Sequence, residues 1–327
     1  MTQPILGIDI AKETFDVCLT IAGKNQQTQF ENNASGYKKL SRWIGKYTAE
    51  KLHACLEATG QFGETLSEYL YQEGHRVSVV NPARIKAYGS SKLRRNKTDK
   101  ADAELIAQYC LREQPALWTP PPASFKDLQA LVRRYEDLQA TYQQEKNRLK
   151  SGTSQSVVVA DLQDHLAYLK EKMALIQKAI QEHIQACPEL KQRQDLLLSI
   201  PGIGKLTASK LLGEIRDVCA FEDARQLAAY AGVTPRNFVS GTSIHKKARM
   251  SKMGNANLRK ILYMPAISAK RFNPIIHAFC LRLLDAGLKP LQVVGAAMRK
   301  LLHLIFGILK SGKPFDPKFL EKRTIAS

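Results

Sequence analysis

No Asp or Glu occurs between Ala224 and Leu284, although the same stretch holds eleven Lys or Arg. A solvated protein face normally mixes both signs. Their one-sided distribution excludes an ordinary mixed surface there and points to a polyanion. The whole chain leans the same way, with 49 Lys+Arg against 30 Asp+Glu and a formal net charge of +19 over 327 residues. Each phosphate that such a surface neutralises releases condensed counterions, so nucleic acid is the expected partner. Also missing is any Cys-x-x-Cys spacing. Cys18, Cys55, Cys110, Cys187, Cys219 and Cys280 are scattered, mostly among apolar neighbours, which suits reduced thiols in a cytoplasmic protein. Long apolar runs are absent too. Leu301 to Leu309 is interrupted by His303 and is too short to span a bilayer. Met1-Thr2-Gln3-Pro4 leads straight into a strand, so neither a signal peptide nor a membrane partner is expected.

What is present reads first as α/β. Ile5 to Ile10 and Phe15 to Ile21 have strand character, and Ala22-Gly23-Lys24-Asn25 turns into a third, polar strand from Gln26 to Phe30, expected at a sheet edge. Ser35 is placed to cap a helix carrying Leu40, Trp43 and Ile44. His53 to Leu56 reads as a short buried strand, Glu64 to Glu73 as helix, and Arg76 to Val80 as strand, stopped at Asn81-Pro82. Three strands, then helix, strand, helix, strand and helix, is the order of an RNase H-like fold. A basic loop from Gly89 to Asn96, containing Lys92, Arg94 and Arg95, follows, then a helix capped by Asn96 or Thr98 and running to about Arg112. Pro115 to Pro122, with four prolines, marks a domain boundary.

Beyond it, Leu128, Leu131, Tyr135, Leu138 and Tyr142 keep helical spacing, as do Leu162, Leu166, Leu169, Met173, Ile176 and Ile180. Two long helices joined near Ser151-Gly152-Thr153-Ser154 predict an antiparallel coiled-coil hairpin that spaces or oligomerises; an ordinary bundle inside a larger domain is the alternative. The remainder is expected to be mostly α-helical, with a loose tail after Gly312. The expected division is therefore residues 1–115, 123–190 and 191–327.

Four acids draw attention in the first part. Asp9 lies among isoleucines, where a carboxylate needs a partner. Glu57 ends the next buried strand, and Asp99 and Asp102 stand at i and i+3 on one face of a helix. Two-metal phosphoryl chemistry uses such carboxylates to hold two Mg²⁺ ions about 4 Å apart. Four negative charges brought together are costly unless metal compensates them. Individually the acids have simpler explanations: Asp99 as an N-terminal helix acid, Glu57 as a cap on the Thr59-Gly60 turn. Asp16, Glu13 and Glu104 are weaker candidates.

In the last part, Ser199-Ile200-Pro201-Gly202-Ile203-Gly204-Lys205 before a helical Leu206 to Ile215 reads as a helix-hairpin-helix. Gly202, Gly204 and Lys205 would bring backbone N–H groups and a cation to a phosphate; a tight packing turn is the alternative. Downstream lies a basic loop with Arg236, Ser240-Gly241-Thr242-Ser243, His245, Lys246, Lys247, Arg249 and Lys252, followed by Arg259. It reads first as a binder of backbone phosphate. A serine hydroxyl placed against a phosphate, with cations stabilising the developing charge, is the second reading.

These motifs together resemble the transposases of the insertion sequence one-ten family, relatives of the Piv/MooV DNA invertases. The resemblance rests on Gly7-Ile8-Asp9-Ile10-Ala11-Lys12, Glu57-Ala58-Thr59-Gly60, Lys97-Thr98-Asp99-Lys100-Ala101-Asp102-Ala103, Ile200-Pro201-Gly202-Ile203-Gly204, Pro235-Arg236 with Ser240-Gly241, and Ser251-Lys252-Met253-Gly254-Asn255 leading into Leu258-Arg259. It implies a RuvC-like nuclease domain whose DEDD set (Asp9, Glu57, Asp99 and Asp102) binds Mg²⁺. It also implies a transposase domain whose serine forms a covalent link to DNA, Ser240 fitting best and Ser243 next. A structured bridge RNA pairing with donor and target DNA is implied as well, with dimers assembling to tetramers through the coiled-coil arm. A RuvC-like junction endonuclease without serine chemistry is the competing activity.

Overall fold

A computed structural model describes residues 3–58, 61–92, 99–152, 155–240 and 244–318; within them the side chains of residues 61, 99–100, 237–240 and 244–248 lie outside the description. The chain forms two compact units, Met1–Pro120 and Pro121–Ser327.

The first unit is built on five strands: β1 (Ile5–Ile10), β2 (Thr14–Ile21), β3 (Lys24–Glu31), β4 (His53–Glu57) and β5 (Arg76–Val80). Their order is β3-β2-β1-β4-β5. β1 pairs antiparallel with β2 and β2 with β3, whereas β4 runs parallel to β1 and β5 parallel to β4. The polar third strand is indeed at the edge, where exposed Gln and Lys discourage pairing with another chain. Its turn from β2 uses positive φ at Ala22 (48°) and Gly23 (79°), the twist that suits a two-residue hairpin.

Period-two alternation sends Leu6, Ile8, Phe15, Val17, Ala54 and Leu56 to one face. There they pack against α1 (Ala34–Gly45) and α2 (Gln61–Gln72). Ile5, Cys18, Cys55 and Val80 face the other way, under α3 (Pro82–Ser91) and α4 (Asp99–Glu113). The start of α1 differs from the sequence expectation. Asn33, not Ser35, is the cap, its side chain accepting from the Gly36 amide at 2.9 Å. Gly36 sits so tightly on Glu31 that an added Cβ would lie 1.9 Å from the Glu31 carbonyl oxygen. The turn thus starts earlier than Ser35 would allow. α3 likewise continues through Gly89 and Ser90 to Ser91, a stretch expected as loop.

The second unit opens with the expected long pair, α5 (Ala123–Lys150) and α6 (Ser156–Ala186). The base of this pair is not a free-standing arm. Phe125, Leu128, Val132 and Tyr135 of α5 and Ile180 and Ile184 of α6 share one core with Leu190 and Leu197 of α7 (Pro188–Leu198) and Leu211 and Leu212 of α8 (Lys205–Ile215). The same core takes Leu227 of α9 (Ala224–Tyr230), Leu258 and Leu262 of α10 (Ala256–Phe272), Ile276 of α11 (Pro274–Asp285) and Leu301, Leu302 and Ile305 of α12 (Pro290–Ser311).

Three further departures appear. The basic segment expected as loop contains a β-hairpin, β6 (Pro235–Ser240) and β7 (Ile244–Met250), with a bulge between Arg236 and Phe238. α12 spans 22 residues, long and apolar enough by composition to cross a bilayer, and so exceeds the short run read from the sequence. Its apolar face is instead buried in the protein core, with Leu301, Leu302 and Ile305 fully enclosed. The chain beyond Gly312 is tied down at Phe315, whose amide donates to Ser199 Oγ at 2.8 Å and whose ring packs on the core.

Candidate active site and basic cleft

In the first unit, Asp9 and Glu57 end neighbouring parallel strands. The register pairs Gly7 with Cys55 and Ile8 with Leu56, so Asp9 and Glu57 are the next residues along. Alternation puts both on the α4 side of the sheet, and both are half-buried. Gly7 explains how α4 comes so close. A Cβ there would lie 2.2 Å from Ala103 O and 2.3 Å from Ala107 N, so only glycine lets the helix backbone rest directly on β1. Ala103, Ile106, Ala107 and Cys110 form the buried stripe of α4. Half-buried Asp102 adjoins that stripe, and Asp99 opens the helix, its side chain outside the described residues. The backbone therefore brings α4's acidic first turns and the carboxylate ends of β1 and β4 to one side of the sheet.

Among the described residues, no three His, Cys, Asp or Glu side chains form a closed metal-binding group. The donors are nonetheless of the right type, since carboxylate oxygens suit hard divalent cations. Asp16 adds to the negative charge. It lies opposite Asp9 on β2, is 4% exposed, and accepts from Gln29 Nε2 at 2.8 Å. Two carboxylates facing each other across a ladder are unfavourable without a compensating cation. Glu104 is directed elsewhere, accepting from Asn25 and Gln108. Lys92 is exposed at the end of α3, while Arg94 and Arg95 lie outside the described residues.

In the second unit, a cleft of about 2100 Å³ opens between α5, α8, β7, α10 and α12. Among the described residues, eight Lys or Arg line it (Lys210, Arg249, Lys252, Arg259, Lys260, Lys289, Arg299 and Lys300), against one carboxylate, Glu136. Burial alone would raise the Glu136 carboxyl, but Lys210 and Lys260 outweigh it and hold it low. Burial, together with Arg299 and Lys300, pushes His303 down, and its Nε2 has no hydrogen-bond partner among the described residues. Tyr263 and Met264 leave large apolar surface exposed on α10 beside these cations. Cations interleaved with an aromatic platform suit a nucleic-acid backbone and its bases.

Of the residues expected to contact nucleic acid, Arg249, Lys252 and Arg259 line this cleft. Arg236 and Arg249 are exposed and paired in register across β6 and β7; two like charges so placed favour an anion between them. Lys246 and Lys247 belong to β7 by backbone, and Ser240 closes β6 opposite Ile244; their side chains lie outside the described residues, as does Ser243 entirely. The helix-hairpin-helix glycines separate. Gly202, at φ 104°, abuts α10, where a Cβ would sit 2.8 Å from Ala269 N, whereas Gly204 and Lys205 are exposed at the start of α8. The sequence reading missed Lys210, Lys289, Arg299 and Lys300, which lie outside the acid-free stretch and join the cleft only through packing.

Comparison with known proteins finds matches that touch both units. A transposase family model of the DEDD, IS110 type matches residues 6–155, and one for transposases of the IS116/IS110/IS902 family matches residues 194–281. The pilin gene-inverting protein of Moraxella bovis is 37% identical over 325 residues, covering 98% of this chain and 100% of the relative. That of Moraxella lacunata is equally similar. The transposase for insertion sequence element IS1328 of Yersinia enterocolitica is 28% identical over 225 residues, 60% of this chain and 65% of the relative. The DEDD-type match suggests an RNase H-like fold, with which the sheet order agrees, and implies dependence on a divalent metal. The chain belongs to the IS116/IS110/IS902 family and is a DNA transposase/recombinase.

Proposed function

We propose that the protein cuts and rejoins DNA strands with Mg²⁺ held by Asp9, Glu57, Asp99 and Asp102 and with Ser240 as nucleophile. The observation that carries the metal half is the register of Asp9 and Glu57 under a helix that Gly7 lets rest on the sheet. Bound there, the metal would supply Lewis-acid stabilisation of phosphoryl oxygens. The four carboxylates bind and orient it.

The hairpin β6–β7 supports the second half, because it presents Ser240 at the end of a strand rooted beside the basic cleft. Ser240 Oγ attacks a backbone phosphorus, loses its proton to solvent or a neighbouring base, and expels a sugar oxygen that takes up a proton. The phosphoserine link keeps the phosphodiester's energy for rejoining when a DNA hydroxyl attacks in turn. Cations of the cleft such as Arg249 and Lys300 hold the strand and stabilise the added charge. Ser243 is the alternative nucleophile. A structured bridge RNA selecting donor and target, and dimers joining into tetramers with the acids and serine drawn from different subunits, complete the reading. Sequencing any RNA that copurifies with the protein tests the first of these.

The similarity to pilin gene-inverting proteins favours inversion of a DNA segment as one outcome of the same chemistry. A plasmid with inversely oriented sites should invert with the native chain. Ser240→Ala should abolish both inversion and the covalent protein–DNA adduct, and Asp9→Asn should do the same. A Ser240→Ala variant that still cleaves would instead mark a junction endonuclease without serine chemistry.

A further inference from the structure

The segments that flank the hairpin are tied together by a polar network that the proposed chemistry leaves without a task. Before β6, residues 230–234 run alongside residues 251–255 after β7. The Ser251 amide donates to Thr234 O at 2.9 Å, Lys252 to Gly232 O at 3.0 Å, and Asn255 to Tyr230 O at 2.7 Å. Arg259 spans both segments, its Nη1 donating to Ala231 O and to Lys252 O, each at 3.2 Å. A guanidinium with two carbonyl partners on either side of a hairpin acts as a staple. The glycines make room for it. At Gly232 (φ 67°) a Cβ would stand 2.7 Å from Arg259 Nη1, and at Gly254 (φ 136°) one would stand 2.2 Å from Tyr230 O.

Asn255 anchors the staple to the core. Its Oδ1 accepts from the Leu258 amide at 2.9 Å and so caps α10, which orients its Nδ2 to donate to Glu214 Oε2 at 2.8 Å and Tyr230 Oη at 3.2 Å. Glu214 is 2% exposed, and Arg133 Nε reaches its other oxygen at 3.4 Å. A buried carboxylate held by Arg133 and Asn255 has few other ways to be satisfied, so the arrangement is directional.

We propose that Glu214, Asn255 and Arg259 are positioning residues that fix the root of the β6–β7 hairpin, and with it the seryl strand end, rather than contacts to phosphate. The assignment rests on the Ser240 reading for its consequence in catalysis, but its structural content can be measured without it. Asn255→Asp keeps the helix cap while replacing the N–H donor by a second carboxylate against Glu214. The double variant Glu214→Gln/Asn255→Asp restores a donor facing an acceptor.

Amide hydrogen exchange on the full chain, recombination of a plasmid substrate, and affinity for a mixed-sequence DNA duplex across salt concentrations test the assignment together. Asn255→Asp should open exchange in β6 and β7 while α8 and α12 stay protected. It should lower recombination about 10²-fold, the loss expected from a misplacement of about 1 Å, with the duplex salt slope unchanged. The double variant should recover both protection and recombination. Unchanged exchange in β6–β7, or a double variant no better than the single one, overturns the proposal. So does a salt slope reduced by about one in Arg259→Gln with recombination otherwise intact, the mark of a phosphate contact. If Ser240→Ala still recombines, the nucleophile assignment fails by itself, since the exchange data are read independently of it.

Discussion

Gly7→Ala is a substitution of one methyl group whose effect can be worked from the structure. The added Cβ would meet Ala103 O at 2.2 Å, Ala107 N at 2.3 Å and Ala107 Cα at 2.8 Å, all backbone atoms of α4. Backbone cannot rotate away as a side chain can. Restoring a van der Waals separation of about 3.5 Å requires α4 to retreat by roughly 1 Å. Overpacking of this kind costs about 1–3 kcal/mol, measurable in the urea unfolding of the chain. The functional loss should exceed the stability loss. Asp99 and Asp102 ride on the displaced helix, while Asp9 and Glu57 stay with the sheet. A relative shift of about 1 Å between reacting groups costs about 10²-fold in rate. Recombination by folded Gly7→Ala protein should therefore fall by about two orders of magnitude. Gly45→Ala is the control, because nothing lies within 4 Å of its Cβ position. Wild-type activity in Gly7→Ala, or equal loss in Gly45→Ala, would refute the idea that helix approach sets the site.

Three other outcomes are expected. Lys300→Ala and Arg249→Ala should each reduce the slope of log affinity against log salt for duplex DNA by about one, if each contacts a phosphate. Phe125→Ala should destabilise the second unit by about 3–5 kcal/mol, because that fully buried ring belongs to the core shared by α7 and α8; a loss confined to the α5–α6 hairpin in hydrogen exchange would contradict this. His75 is lowered by burial and then by Lys51, and its Nδ1 accepts from the Leu52 amide at 3.3 Å. The unfolded state then binds more protons, so this group's stabilisation is present above pH about 6.5 and is lost as pH falls below it. His75→Gln should flatten that part of the stability profile.

The first unit was readable because its strands declare themselves. Ile5 to Ile10 alternates around Gly7 and Asp9, and the parallel strands end at Glu57 and at Asn81-Pro82. The missed cap shows where local rules give way: Ser35 is an acceptable capping residue, but the contact between Gly36 and Glu31 decides the start of α1. In the second unit the β6–β7 hairpin was hidden because cationic and polar residues interrupt its apolar ones, so no period-two apolar pattern shows in the sequence. The cleft was legible only in part. The acid-free stretch pointed to Arg249, Lys252 and Arg259, whereas Lys300 joins them from α12, about forty residues beyond Arg259 in the chain, through tertiary packing alone. The bonds from Arg259 to the carbonyls of Ala231 and Lys252 could not be read from the sequence either.

The bond from the Phe315 amide to Ser199 has a practical bearing on how the protein is handled. Ser199 begins the turn between α7 and α8, and its hydroxyl also donates to Leu196 O at 2.6 Å. Shortening the chain at Gly312 would thus disturb a joint far away in sequence, and a reporter spliced in at that glycine would perturb the turn it was meant to observe. A label on Cys219, exposed and remote in sequence from that joint, is the gentler choice.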